Sequence, residues 1–183
     1  MIEKAGILRG ETFVRAETLD GRSARAASAL RSVGVGPGDT VALLLRNDHP
    51  FFEASFATGM LGATPVPLNW HGKPDEILFV LNDSRAKVLV GHADLVRPLL
   101  DSLPDALEVL VVPTPEDIGK TYRIPRESWS TPEGLTDWAA WIEGFEAWRQ
   151  APLEAPAAMM YTSGTTGKPK GVRRSTVDAT RRA

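Results

Sequence analysis

The sequence predicts an α/β domain, a mostly parallel sheet with flanking helices. Three observations carry that reading. Short continuous apolar runs recur at Thr40–Leu45, Lys87–Val90 and Val109–Val112, and such runs suit strands buried on both faces. Segments of helical period lie between them, and repeated strand–helix alternation favours parallel pairing. A chain of 183 residues is long enough to bury a substantial core, with one compact domain as the prior.

The elements follow in order. Gly6–Arg9 and Thr12–Val14, separated by Gly10-Glu11, predict a short hairpin. Ser23–Val33 places Ala26, Ala27, Leu30 and Val33 on one helical face, and Gly34 is the stop signal. The turn Gly36-Pro37-Gly38-Asp39 leads into the strand Thr40–Leu45. Phe51–Leu61 reads as a helix with Phe52, Phe56, Gly59 and Met60 on one stripe, ended by Gly62. Ala63–Pro67 is a strand in which Pro65 and Pro67 remove donors, so it is expected at an edge or as an irregular strand. Pro74–Asn82 has proline and the acids Asp75 and Glu76 in its first turn, with Ile77, Val80 and Leu81 inward. Lys87–Val90 is the next strand, Asp94 is read as the cap of a helix through Leu100, and Val109–Val112 and Ala157–Tyr161 are further strands.

Residues 113–136 interrupt the rhythm with four prolines and two glycines and are read as an irregular excursion. Trp138, Trp141, Phe145 and Trp148 then fall at i, i+3, i+7 and i+10, one helical stripe. An aromatic face packed on the domain is the preferred reading, with an acyl or partner surface as the alternative.

Composition narrows the class. The absence of cysteine excludes disulfides and thiolate metal sites. No stretch is long and apolar enough for a membrane span, and no N-terminal export signal is visible, so a cytoplasmic protein is expected. A net charge of −2 argues against broad nucleic-acid binding. The charge is uneven: residues 1–167 carry 15 basic and 22 acidic side chains, residues 168–183 carry 6 and 1. Arg181 and Arg182 are read as part of a solvated, frayed tail over 175–183. His49, His71 and His92 share no metal-ligand spacing, and no paired-carboxylate or Ser/His/Asp site can be argued. The sequence therefore names no catalytic residue and no metal ligand. Trp70-His71 follows a strand and is read as a turn, with a cleft lining as the alternative.

The chemistry concentrates at Tyr161-Thr-Ser-Gly-Thr-Thr-Gly-Lys-Pro-Lys-Gly-Val. Gly164 and Gly167 let backbone N–H groups approach an anion. Ser163, Thr165 and Thr166 add hydroxyl donors, and Lys168 and Lys170 add charge-assisted ones. The spacing is not that of a Walker loop, because the required second glycine would fall on Pro169. Pro169 fixes its own φ and biases Lys168 towards an extended conformation. A Ser/Thr/Gly-rich surface turn is the competing reading of this run taken alone.

The run resembles the phosphate-loop signature of the adenylate-forming superfamily, which includes acyl-CoA synthetases, luciferases and the adenylation domains of peptide synthetases. The resemblance extends upstream to Val35-Gly-Pro-Gly-Asp-Thr-Val-Ala-Leu-Leu-Leu-Arg-Asn, Gly62-Ala-Thr-Pro-Val-Pro-Leu-Asn and Leu81-Asn-Asp-Ser-Arg-Ala-Lys-Val-Leu-Val. It covers residues 6–112 and 155–174. It is most similar to AMP-forming acyl-CoA synthetases, the fatty-acid–CoA ligases.

This resemblance implies the first part of a large N-terminal AMP-binding domain over residues 1–174. It implies Thr162, Ser163, Gly164, Thr165, Thr166, Gly167, Lys168 and Lys170 as the nucleotide-binding positions, with Lys170 the main cation. ATP, Mg2+ and coenzyme A are the implied cofactors and substrates, beside a carboxylic acid. Family members continue for several hundred residues past this loop, so a fragment inactive alone is expected. A noncatalytic nucleotide- or partner-binding module that self-associates into a homo-oligomer is the alternative.

Overall fold

A computed structural model describes residues 5–154, 158–162 and 169–173. Strands β1 (Gly6–Arg9) and β2 (Thr12–Arg15) form an antiparallel hairpin. Helix α1 (Ala16–Ser32) leads to strand β3 (Thr40–Leu44), and helix α2 (His49–Met60) to strand β4 (Thr64–Pro67). Helix α3 (Pro74–Asp83), strand β5 (Val88–His92) and helix α4 (Ala93–Val96) follow, the last continued by a 3-10 turn at Arg97–Ser102. Strand β6 (Glu108–Val112), helix α5 (Glu116–Thr121), strand β7 (Thr136–Asp137) and helix α6 (Trp138–Glu143) come next. Strands β8 (Met159–Thr162) and β9 (Lys170–Arg173) form a second antiparallel hairpin.

The central sheet is parallel throughout, in the order β4-β3-β5-β6-β7. Its inner strands alternate between two cores, as a period of two requires. Val41 and Leu43 of β3, with Val88 and Val90 of β5, pack beneath Ala26, Ala27 and Leu30 of α1, Ala54 and Ala57 of α2, and Ile142 of α6. Ala42, Leu44 and Leu89 face the opposite side, where Ile77, Val80 and Leu81 of α3, Val96 of α4 and the inner residues of β8 complete the second core. Burial on both faces is why β3 and β5 read as unbroken apolar runs.

β4 lies at the sheet edge, as its prolines require. Gly34 takes φ +82° just past α1, where the N–H of Val35 reaches back to the Leu30 carbonyl at 3.0 Å. Gly62 takes φ +67° after α2, and an added Cβ there would stand 3.1 Å from Leu153 Cβ.

Several expectations are corrected. α1 begins seven residues before Ser23, because Ala16–Arg22 continue the same helix with only Leu19 fully inward. The inward face of α2 is His49, Glu53, Ala54, Ala57 and Thr58 rather than the phenylalanine stripe, and Phe56 is 45% exposed. Asp94 does not cap α4: His92 occupies the cap position, and the Asp94 carboxylate is bound elsewhere. The excursion 113–136 contains α5 and a further 3-10 turn at Arg126–Ser128. α6 stops at Glu143, so Phe145 and Trp148 reach the first core from beyond the helix, with the Trp148 backbone N–H bonded to the Ala24 carbonyl at 2.9 Å.

Candidate functional site

The segment singled out by sequence connects β8 to β9. The register pairs Thr162 with Lys170, Tyr161 with Gly171 and Met160 with Val172. Thr162 and Lys170 thus face each other at the loop end of the hairpin, and both are exposed. Pro169 is half-buried beside Lys170. Ser163, Gly164, Thr165, Thr166, Gly167 and Lys168 lie outside the described residues, as does the tail at 175–183.

The hairpin is a two-stranded ribbon separate from the five-stranded sheet. The reason is the pattern Met159-Met160-Tyr161: Met159 and Tyr161 point inward onto the second core, while Met160 is 54% and Val172 51% exposed. The Tyr161 hydroxyl donates to Asp83 Oδ2 at 2.6 Å. Burial first, and the Asp83 carboxylate second, push the Tyr161 phenol above its ordinary pKa, so it stays protonated as a donor.

The carboxyl ends of β3 and β5 hold a buried polar network that sequence reasoning missed. Arg46 is bidentate to Asp94, at 3.0 and 2.7 Å. The Thr114 hydroxyl donates to Asp94 Oδ1 at 2.6 Å. The Arg46 backbone N–H donates to His92 Nδ1 at 3.2 Å, so a neutral His92 carries its proton on Nε2, which lies 3.4 Å from Asp48 Oδ2. Asp48 also accepts from the His49 N–H at 2.7 Å and lies 2.8 Å from Arg9 Nε.

Burial is the largest single influence on Asp48 and raises its pKa. The His92 hydrogen bond, the His49 N–H and the Arg9 charge together outweigh it and hold the carboxyl below its ordinary value. Asp94 behaves alike: burial raises it, while Arg46 and Thr114 hydrogen bonds and the Arg46 charge bring it below.

Beside this network lies a cleft of about 270 Å³ lined by Arg9, Arg46, Trp70, Asp117 and Tyr122 among others. The Arg46 guanidinium sits 5.0 Å from the Trp70 ring and 5.3 Å from that of Tyr122. Trp70 is therefore both a turn residue and a cleft wall, while the His71 N–H closes the turn on Asn69 Oδ1 at 3.1 Å. Among the described residues, no group of three or more His, Asp or Glu side chains is arranged to hold a metal ion. No helix among them is long and apolar enough to cross a membrane.

A parallel sheet covered by helices on both faces, with an antiparallel hairpin laid on one of them, is the architecture of the N-terminal domain of adenylate-forming ligases. An anthranilate CoA ligase in complex with anthranoyl-AMP shares it with TM-score 0.76 and 25% identity over 95% of this chain and 32% of that one. The family model for AMP-binding enzymes matches residues 13–182, and the chain belongs to that family.

Among curated relatives, a long-chain-fatty-acid–CoA ligase of Mycobacterium tuberculosis is 32% identical over 157 residues, 81% of this chain and 27% of its own length. A fatty acid–[acyl-carrier-protein] ligase of Streptomyces coeruleorubidus is 31% identical over 85% of this chain and 27% of its length. A feruloyl-CoA synthase of an Amycolatopsis species is 35% identical over 90% and 29%. The chain thus spans under a third of the length of each of these curated relatives.

Proposed function

We propose that this chain is the N-terminal, phosphate-binding portion of an ATP-dependent acyl-CoA synthetase that acts on a fatty acid. The observation that supports this is the pairing of exposed Thr162 with exposed Lys170 at the loop end of the β8–β9 hairpin. A hydroxyl and an ammonium flank the connecting segment, a donor set suited to a polyphosphate. Ser163, Gly164, Thr165, Thr166, Gly167 and Lys168 would complete the binding segment, with Lys170 as the principal counter-charge to the β- and γ-phosphates.

The reaction has two balanced steps. A carboxylate oxygen attacks the α-phosphorus of ATP, forming acyl-AMP as the bond to pyrophosphate breaks. The thiol sulfur of coenzyme A then attacks the acyl carbon, AMP leaves, and the thiol proton passes to solvent or a base. The first step needs charge neutralisation on the phosphates and in-line placement of the carboxylate. This chain's contribution is the neutralisation. Magnesium would arrive with the nucleotide, and we assign it no ligand among the described residues.

Because the relatives are more than three times as long as their matched parts, the 183 residues alone are expected to release no pyrophosphate. The test is ATP-dependent pyrophosphate release with magnesium and a panel of carboxylic acids, run on this chain and on a protein of the relatives' full length that contains it. Release by the longer protein alone supports the proposal. No release with any acid by the longer protein refutes the enzymatic reading.

The second reading is a noncatalytic module that binds nucleotide and self-associates. The exposed Met160–Val172 pair on the outer face of the hairpin favours it. A monodisperse monomer by light scattering refutes self-association.

A further inference from the structure

Tyr161 is where the loop-bearing hairpin is fastened to the body of the chain. β8 and β9 hydrogen-bond to each other and form no ladder with the five-stranded sheet. A two-stranded ribbon is marginally stable by itself, so its position depends on what its inner face touches. Met159 and Tyr161 supply apolar packing on the second core. Tyr161 adds a directional contact, its hydroxyl 2.6 Å from Asp83 Oδ2 at the last residue of α3.

The geometry ties this contact to both sides of the loop. Tyr161 immediately precedes Thr162, and its register partner Gly171 immediately follows Lys170. The Tyr161 ring lies across Gly171: a Cβ at that glycine would stand 3.0 Å from Tyr161 Cζ and 3.2 Å from its hydroxyl oxygen. One side chain of β8 therefore abuts β9 one residue before the connecting segment. Apolar packing alone leaves a flat ring free to slide, whereas a hydrogen bond to a carboxylate fixes direction and distance.

We propose that Tyr161 and Asp83 form a clamp that sets the separation and orientation of Thr162 and Lys170, making Tyr161 a positioning residue for phosphate binding. The clamp's functional role rests on the phosphate-binding reading above; its structural role does not. Asp83 comes from the segment Leu81-Asn-Asp-Ser, so the clamp also links the loop to the turn that feeds β5.

The test combines hydrogen–deuterium exchange with calorimetric binding of inorganic triphosphate, on the full chain. Tyr161→Phe keeps the ring and removes the hydroxyl. Exchange in residues 159–162 and 170–173 should quicken about tenfold, the scale of a partly exposed hydrogen bond to a charged group, while β3 and β5 exchange as in the wild type. Asp83→Ala should reproduce the effect, and the double variant should be no worse than either single one. Asp83→Asn keeps an acceptor and should recover part of the protection. Triphosphate affinity should fall by a similar factor in Tyr161→Phe.

Wild-type exchange of the hairpin in Tyr161→Phe would overturn the clamp. Faster exchange with unchanged triphosphate affinity would overturn its positioning role. Lys170→Ala serves as the separating control. If it binds triphosphate as tightly as the wild type, or the wild type binds none, the phosphate reading fails, and with it the positioning role; exchange then decides the clamp alone.

Discussion

Arg46→Met is the most informative perturbation of the body of the chain. Methionine matches the length of the arginine stem and keeps apolar contact with Trp70, but removes the charge. The Arg46 and Asp94 side chains are each only 8% exposed, so water cannot replace the lost partner. Leaving one member of a buried ion pair alone costs about 3–5 kcal/mol. Loss of the cation–π contacts to Trp70 and Tyr122 adds about 0.5–1 kcal/mol, and the Thr114 hydroxyl bond offsets part of the total by still reaching Asp94. A net loss of about 3–4 kcal/mol at pH 7 is expected.

The pH dependence of that loss gives a sharper check. In the wild type the Asp94 carboxyl is held below its ordinary value of 3.8. Its stabilisation is therefore fully present above that value and lost as pH falls through the lower folded one. In Arg46→Met the Arg46 hydrogen bond and charge are gone, and burial, the largest single influence, opposes only the Thr114 hydrogen bond and the His92 charge, so the folded value is expected to rise above 3.8. The folded variant then binds a proton more readily than its unfolded chain. Its deficit should shrink as pH falls from 7 towards 4.5, with the wild type losing little over that range. Urea melts at pH 7, 6, 5 and 4.5 measure this. A deficit under about 1 kcal/mol at pH 7, against the buried-pair scale, or one that does not change with pH, refutes the reasoning.

Three further outcomes are expected. Glu53→Ala removes the acceptor of Trp138 Nε1 (2.9 Å) and the partner of Arg22 (2.6 Å); Arg22 can rehydrate, Trp138 cannot, and a loss of about 2–4 kcal/mol should appear in urea melts. Gly62→Val forces a branched side chain to φ +67° against Leu153; Tm should fall by about 3–8 °C, whereas an unchanged Tm would show that the turn can relax. Lys170→Ala in a protein of the relatives' full length should reduce adenylation by an amount equivalent to about 1.5–3 kcal/mol, and undiminished pyrophosphate release would remove Lys170 from its assigned role.

What could be read in the sequence was what local pattern determines. β3 and β5 announced themselves because burial on both faces leaves no polar alternation. β4 was placed at an edge because Pro65 and Pro67 cannot serve a central ladder. Gly34 and Gly62 marked helix ends because both positions require positive φ. The polar interior was invisible for the opposite reason. Arg46 finds Asp94 48 residues away, Asp48 finds His92 44 away, and Glu53 finds Trp138 85 away. None has a local spacing, and Asp94 reads as a helix cap because Asp is a favoured residue at that position. The β8–β9 hairpin was half legible: β8 reads as a strand, but its placement on a separate ribbon depends on Met159 and Tyr161 finding the far core.

That placement has a consequence for how stability and binding divide. In a parallel sheet, ligands ordinarily enter beyond the carboxyl ends of the strands, where the chain reverses direction across the sheet. Here the ends of β3 and β5 flank that reversal, and they are occupied by Arg46–Asp94 and Asp48–His92, whose carboxylates are already committed to internal partners. An anion entering there would have to displace a buried carboxylate from its arginine, at the cost of unpairing both. The hairpin offers Thr162 and an exposed lysine without that conflict. On the proposed reading, stability and phosphate binding sit on different elements, and they should fail separately. Arg46→Met should lower the unfolding free energy while leaving triphosphate affinity intact at temperatures where the variant is folded. Tyr161→Phe should do the reverse, loosening the hairpin and its ligand with little change in the melting of the sheet. If both variants lose stability and affinity in proportion, the sheet and the hairpin form one cooperative unit and this division is wrong.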